Sequence, residues 1–462
     1  MLRTRPRIHP STLLRIKRRK LLTLAIETSC DDTAVALLEH EPESNPPARL
    51  LFNERLSSDN RAFGGIHPKV AIRAHHANLA PLVRSALGVL PDGLAPELVA
   101  ATRGPGVGVN LAVGLEVAKG LALAWRVPLV GVHHMQAHAL TPRLAHALRR
   151  RTTSTMTTAK ESPGFPFLSL LVSGGHTQLV SSSSLTDHRI LVNTVDIAVG
   201  NLLDQAARVV LPSSVLESSQ DVMYGRLLEA FAFPPDDDDD DVSAQHAAFF
   251  RPALSRGEEQ ITPDTGYDWS ISLPFRESRR LDFSFCGIFS QVRAIATARP
   301  DMDVDERRHL ARHTMRAAFQ HIASRLYLVL AAAEKDDDDL SKRLANLTLV
   351  LAGGVSANRF LLHVLRTTLS ARGLSSVAAA DSMVVPPLDL CTDNAAMVAW
   401  TADEMFRAGW ETDLSVSPIP RWPLDSDVGD GLLGVGGWLR RDEGRRYGDF
   451  GKVEDISASV AG

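Results

Sequence analysis

Two segments of the chain share one plan. LLTLAIETSCDDTAVALL, starting at Leu21, and FPFLSLLVSGGHTQLV, starting at Phe165, each place a short polar turn between two apolar runs. Apolar runs bounded by polar residues read as buried strands, and two of them around a tight turn read as a strand pair. The repetition is one of architecture, not of residues, and it predicts two lobes of related design. Helical patterns fill the intervals: Ile72 to Leu90, the Ala- and Leu-rich stretch after Gly104-x-Gly106-x-Gly108, His134 to Arg149, the sequence from the second strand pair to Val210, and Glu306 to Ala333. Pro128 to Val132 and LTLVLA read as further buried strands. Strands alternating with helices predict an α/β protein.

On this pattern the chain divides into a start at 1–20, an N-terminal lobe at 21–148, a linker at 149–164, a C-terminal lobe at 165–407 with inserts near 212–223 and 234–280, and a Gly-rich tail at 408–462. The first twenty residues carry basic side chains and no acid (Arg3, Arg5, Arg7, Arg15, Lys17, Arg18, Arg19, Lys20), a composition that suits a mitochondrial presequence; a basic tail is the other reading. Two aspartate runs, 236–241 and 336–339, read as solvated loop inserts, because like charges cannot build a core. Their ten carboxylates account for the net charge of −4, so charge neither demands nor forbids a nucleic-acid partner. Cys30, Cys286 and Cys391 lie far apart with no C-x-x-C pair, which argues against a zinc ribbon or a disulfide scaffold. No run of about 18 apolar residues goes uninterrupted, so membrane insertion is not expected.

The sharpest chemical feature is His134-Met135-Gln136-Ala137-His138. Residues four apart share a helix face, where two imidazoles can hold one divalent metal. From spacing alone, one core histidine beside one exposed histidine fits as well. A zincin helix would carry a Glu beside its first His; Met135 stands there, so proteolysis loses its base. Asp393, in CTDNAAMVAW, is a candidate third ligand, although Thr392 or Asp393 could equally cap the helix that follows. Ser173-Gly174-Gly175, Gly353-Gly354 and the Gly104–Gly106–Gly108 loop each follow a strand, where glycine lets a backbone approach a phosphate. None matches a P-loop or a dinucleotide fingerprint, and each is also a plain strand–helix turn.

Taken in chain order, LAIETSCDDTAVALL, TRGPGVGVNLAVGLEVAKGLA, GVHHMQAHALTPRL, LLVSGGHTQLV, LDFSFCG, LAGGVSANRFL and LCTDNAAMVAW resemble the blocks of the tRNA threonylcarbamoyladenosine transferases, the family once labelled O-sialoglycoprotein endopeptidases or glycoproteases. The resemblance covers roughly residues 21–407. It implies an α/β, actin-like (ASKHA, sugar-kinase-like) fold of two RNase-H-like lobes with the site between them. It implies an acyltransferase that moves a threonylcarbamoyl group from threonylcarbamoyl-AMP to the exocyclic amine of the adenosine just 3′ of the anticodon, in tRNAs reading codons that begin with A, with AMP leaving. By the same resemblance His134, His138 and Asp393 would hold one divalent metal ion, iron or zinc. Leu171, Val172, Ser173, Gly174 and Gly175 would wrap the adenylate, with Asp204, Gly225 and Asn358 beside it. The partners implied are tRNA, a separate synthase that supplies the adenylate, and a second copy in a homodimer; with the basic start, the location implied is the mitochondrial matrix.

The chain departs from the family at Gly200-Asn201-Leu202-Leu203-Asp204-Gln205, where relatives carry Gly-Glu-Ala-x-Asp-Lys. Asp204 stands and the Glu and Lys do not. Tyr224 to Glu229 reads as the end of that block, displaced by the insert near 212–223. An actin-like ATPase or kinase and a metallopeptidase are the competing activities. The two-histidine, one-carboxylate set argues against the first, since such kinases hold Mg through carboxylates and phosphates. A non-catalytic scaffold is kept open by the altered Asp204 block.

Overall fold

The computed structural model describes residues 20–441 except 64, 150–162, 220–222, 235–238, 337–346 and 380. Residues 1–19 of the basic start, nearly all of the expected linker, half of the 236–241 acidic run and most of the 336–339 run lie outside the described residues.

The first sheet holds β1 (Leu21–Glu27), β2 (Asp32–His40), β3 (Ala48–Ser57), β4 (Leu98–Gly104) and β5 (Leu129–His133) in the order β3-β2-β1-β4-β5. β1, β2 and β3 pair antiparallel, whereas β4 and β5 run parallel to β1. The second sheet holds β6 (Phe167–Val172), β7 (Thr177–Ser182), β8 (His188–Thr194), β9 (Asp282–Phe283), β10 (Leu349–Ala352) and β11 (Met383–Val384) in the order β11-β10-β6-β7-β8-β9. Without the short β9, strands β6, β7, β8, β10 and β11 repeat both the order and the strand directions of the first sheet. Two copies of this mixed five-stranded unit make the actin-like fold of paired RNase-H-like lobes.

The stretch from the second strand pair to Val210 is not all helical: β8 occupies its middle. β3 and β8 are the third strands of the two sheets, and both show solvent on one side. Their pairing slips register, between Leu37 and Leu38 for β3 and between Leu179 and Val180 for β8. A half-exposed, irregularly paired strand carries Arg and Asn among its apolar residues, and the period-two signal weakens.

Helices α1 (Pro68–Gly88) and α2 (Gly108–Trp125) cover one face of the first sheet through Leu79, Leu82 and Leu115 against Leu24 and Ile26. α2 is apolar and long enough to cross a membrane by composition, but its buried face, with Leu111, Leu115 and Ala118, packs on the sheet. In the second lobe, α4 (Val199–Val210), α5 (Gly225–Ala232), α6 (Cys286–Ala298), α7 (Val304–Asp336) and α8 (Arg359–Ala371) share one core with β6 and β10.

Between the sheets lie α3 (His134–Ala147) and α9 (Ala395–Arg407). Their shared core takes Ala25 and Ala36 from the first sheet and Leu171 and Val350 from the second. AAMVAWTADEMF is buried nearly all round, as a helix without a polar face must be. Residues 395–407, grouped by sequence with the C-terminal lobe, thus pack on β1 and β2. In the Gly-rich segment after them β12 (Trp410–Thr412) pairs with β13 (Trp438–Arg440), and Trp422, Leu424 and Leu432 enter the same core.

Candidate metal centre

β5 runs straight into α3, and His133 makes the junction. Its Nδ1 accepts the Met135 and Gln136 backbone N–H groups at 3.2 and 3.4 Å, and its Nε2 donates to the Trp422 carbonyl at 3.1 Å. Burial pushes this imidazole down to about 3, so it stays neutral and acts as a cap. The cap fixes the first turn of α3, and with it His134 and His138 one turn apart. Their rings stand perpendicular with centroids 4.7 Å apart.

Asp393 reaches this pair from the entrance of α9. Asn394, not Thr392 or Asp393, caps that helix: its Oδ1 accepts the Met397 N–H at 2.9 Å, and its amide ties back to the Thr392 and Leu390 carbonyls. Thr392 instead accepts from Arg55. Asp393 is left to the site, with Oδ1 3.0 Å from His138 Nε2 and 3.4 Å from His134 Nε2. One potential ligand atom from each of the three residues lies within 4.8 Å of the others.

Glu27, closing β1, stands behind His134. Its Oε1 accepts the Ser29 N–H at 2.5 Å; its Oε2 accepts the Thr102 hydroxyl and lies 3.3 Å from His134 Nδ1. Ser29 Oγ is also 3.3 Å from that nitrogen. Burial opposes charge on all three groups, but the Asp393 and Glu27 carboxylates outweigh it and push His134 up to about 10. Reciprocally, burial would raise Asp393, but the His134 and His138 imidazoles hold it well below the usual carboxylate range. Such a field favours a cation between the carboxylates.

The donor set fits a metal. Metal–ligand bonds of about 2.0–2.2 Å put neighbouring ligand atoms about 3.0–3.6 Å apart, and the two His–Asp distances fall in that range. His134 Nδ1 faces a carboxylate and a hydroxyl, leaving Nε2 as the donor. His138 Nδ1 is buried with no hydrogen-bond partner among the described residues. Two imidazoles and one carboxylate with open positions suit iron or zinc.

The other expected residues lie in the second lobe. Leu171 and Val172 bury their side chains, so only their backbone can face a ligand. Ser173 ties the turn by accepting the His176 N–H at 3.0 Å. A Cβ on Gly174 or Gly175 would meet no atom within 4 Å, whereas one on Gly200 would come 2.7 Å from the Ser173 carbonyl oxygen. The N-terminus of α4 is therefore pressed against a loop whose outer side is open. Asp204 and Gly225 are brought together: the Gly225 N–H donates to Asp204 Oδ1 at 2.7 Å, which returns the displaced block to its partner across the insert. Asn358 caps α8 by accepting the Leu361 N–H at 2.9 Å, so its carbonyl oxygen is already committed.

The Gly104–Gly106–Gly108 loop is not open to a ligand. A Cβ at Gly104 would come 1.9 Å from the Ile419 carbonyl oxygen, and one at Gly106 would come 2.6 Å from that of Ser29. These glycines admit the C-terminal segment and the first hairpin. Burial pushes the Cys30 thiol far above its usual range, which suits no nucleophile. His176 is held neutral, down to about 4, by burial and by the field of His134 and His138. Sequence spacing passed over His133, Glu27 and His176; for Glu27 the available signal was an acid closing an otherwise apolar strand.

The fold and site define a two-lobed, actin-like protein in which two histidines and one carboxylate converge between the sheets, a set that could hold a metal ion. The sequence profile of the tRNA N6-adenosine threonylcarbamoyltransferase family (TsaD) matches residues 49–400, and the chain belongs to that family. The mitochondrial tRNA N6-adenosine threonylcarbamoyltransferase of Schizosaccharomyces pombe is 35% identical over 432 residues, 92% of this chain and 90% of the relative. The enzyme of that name from Brucella anthropi is 33% identical over 416 residues, 89% of this chain and 98% of the relative. Among solved structures, the activator of the 2-hydroxyisocaproyl-CoA dehydratase from Clostridium difficile with bound ADPNP aligns with 84% of this chain and 97% of its own at 11% identity and a TM-score of 0.35.

Proposed function

We infer that the chain transfers a threonylcarbamoyl group from threonylcarbamoyl-AMP to the exocyclic N6 of the adenosine just 3′ of the anticodon in tRNA. Family membership supports the reaction, and the observation that carries the mechanism is the convergence of His134, His138 and Asp393. A divalent cation held by these three, iron or zinc, would supply positive charge to the oxygens of the mixed anhydride.

The donor is already activated. The N6 nitrogen forms a bond to the carbamoyl carbon, the bond from that carbon to the phosphate oxygen breaks, AMP leaves with the electron pair, and the nitrogen loses one proton. The protein's task is to orient and to stabilise charge. The open outer side of Gly174 and Gly175 supports close backbone approach to the adenylate phosphate, and by the family resemblance Asp204 would contact the ribose. No covalent intermediate is needed, in keeping with the high thiol of Cys30.

The likeness to the mitochondrial enzyme of Schizosaccharomyces pombe and the acid-free basic start support a mitochondrial version acting in the matrix. A separate adenylate synthase and a homodimeric state complete the proposal. The test is an in vitro transfer assay with that synthase, threonine, bicarbonate, ATP and unmodified tRNA, read by mass spectrometry of the nucleosides. Product that disappears in His134→Ala and Asp393→Ala is expected. No product from a folded, metal-loaded wild type would refute the proposal.

A further inference from the structure

We propose that Glu27 is a positioning residue for the metal centre: its carboxylate fixes the tautomer and ring orientation of His134, so that Nδ1 carries the proton and Nε2 faces the metal. The inference rests on the metal reading above.

Glu27 is a buried acid at the end of a strand otherwise composed of apolar residues and one threonine. It is held from two sides, by the Ser29 N–H on Oε1 and the Thr102 hydroxyl on Oε2, so it cannot swing away. The oxygen that takes Thr102 also faces His134 Nδ1 at 3.3 Å. That nitrogen is the one turned from Asp393, while Nε2 lies 3.4 Å from it. A carboxylate behind a ligating imidazole raises its basicity and locks its ring. Ser29 Oγ, also at 3.3 Å, is the competing partner, but a neutral hydroxyl makes roughly half as strong a bond as a charged acceptor. Among the described residues His138 has no counterpart, its Nδ1 being buried without a partner there, so the control falls on one histidine of the two.

The full-length chain is stripped of metal, and Co(II) affinity is read from the d–d absorption. Glu27→Gln, nearly isosteric and uncharged, is expected to bind Co(II) about 10–100-fold more weakly, with its circular dichroism retained. Ser29→Ala is expected to lose about threefold or less. In a His134→Ala background, Glu27→Gln should add nothing further. Unchanged affinity in Glu27→Gln, or a larger loss in Ser29→Ala, overturns the role of Glu27. Undiminished Co(II) binding in His134→Ala overturns the metal reading itself. If Glu27→Gln does not fold, the zinc-loaded wild type labelled with ¹⁵N-histidine decides. A protonated Nδ1 on His134 is expected, and a protonated Nε2 refutes the proposal.

Discussion

Gly353→Ala tests how the second-lobe hairpin is held. Gly353 has φ 95° and ψ 161°, a conformation open almost only to glycine, and a side chain there costs about 1–3 kcal/mol. A Cβ would also lie 2.4 Å from the Val172 carbonyl oxygen and 2.8 Å from its carbon. Relieving that contact to ordinary van der Waals distance needs a shift of about 1 Å, and overpacking of this kind costs about 1–3 kcal/mol. The sum is a destabilisation of about 2–6 kcal/mol, read from urea unfolding. The displaced atoms, Val172 and Ser173, lead into the loop proposed to hold the adenylate. A misplacement of about 1 Å at a reacting group costs about 100-fold in rate, so transfer at saturating tRNA should fall by about that factor in whatever protein remains folded. A variant within about 0.5 kcal/mol of wild type and equally active would refute the reasoning.

Gly174→Ala is the counterpart: with open space around its Cβ, unfolding should stay within about 0.5 kcal/mol of wild type, while titration with a non-hydrolysable adenylate analogue shows weakened binding. Glu229 is pushed up to about 7 by burial, against the Phe360 and Arg359 backbone N–H groups that it accepts. A carboxyl raised in the folded state gives stability that is full below its unfolded value of 4.5 and fades as pH rises to about 7. Glu229→Gln should therefore gain on wild type over that window, by on the order of 3 kcal/mol at its upper end; a pH-independent difference in urea midpoints counts against it. Asp403, buried on α9, lies 2.6 Å from both His40 Nδ1 and Arg407 Nε. Asp403→Asn removes the buried carboxylate that Arg407 Nε faces and should cost about 3–5 kcal/mol, and a loss under 1 kcal/mol would show the pair to be dispensable.

What the sequence disclosed followed from strong, local signals. The two strand pairs were legible because β1 and β6 are buried along their whole length, and β2 at all but Glu39, and so read as nearly continuous apolar runs. The His134–His138 pair was legible because helical spacing fixes which residues share a face. Asp393 needed a family resemblance, since nothing local separates a ligand from a cap; the structure resolves it by giving the cap to Asn394. The glycine loops show the limit most sharply. By sequence, Gly104–Gly106–Gly108, Gly174–Gly175 and Gly353–Gly354 are equivalent strand-end turns. Only Gly174 and Gly175 have open space on both residues, because the first loop receives Ile419 and Ser29 and Gly353 abuts Val172. Each of those neighbours is remote in sequence, so no local pattern could announce it.

The distribution of these contacts between the lobes bears on how the site works. α9 packs on β1 and β2, Asp403 ties it to His40 of β2, and Arg143 of α3 bonds Glu404 of α9 at 2.7 Å. His134, His138 and Asp393 are thereby fastened to one another and to the first sheet, although Asp393 follows the last strand of the second. The proposed adenylate loop, Ser173 to Gly175, joins β6 to β7 of the second sheet and is braced by α4. A change in the angle between the sheets would carry the loop towards or away from the metal ligands without pulling those ligands apart. Metal affinity and adenylate affinity should therefore separate by mutation: in the adenylate-free protein Glu27→Gln weakens Co(II) binding, whereas Gly174→Ala leaves it as it was and weakens only the adenylate.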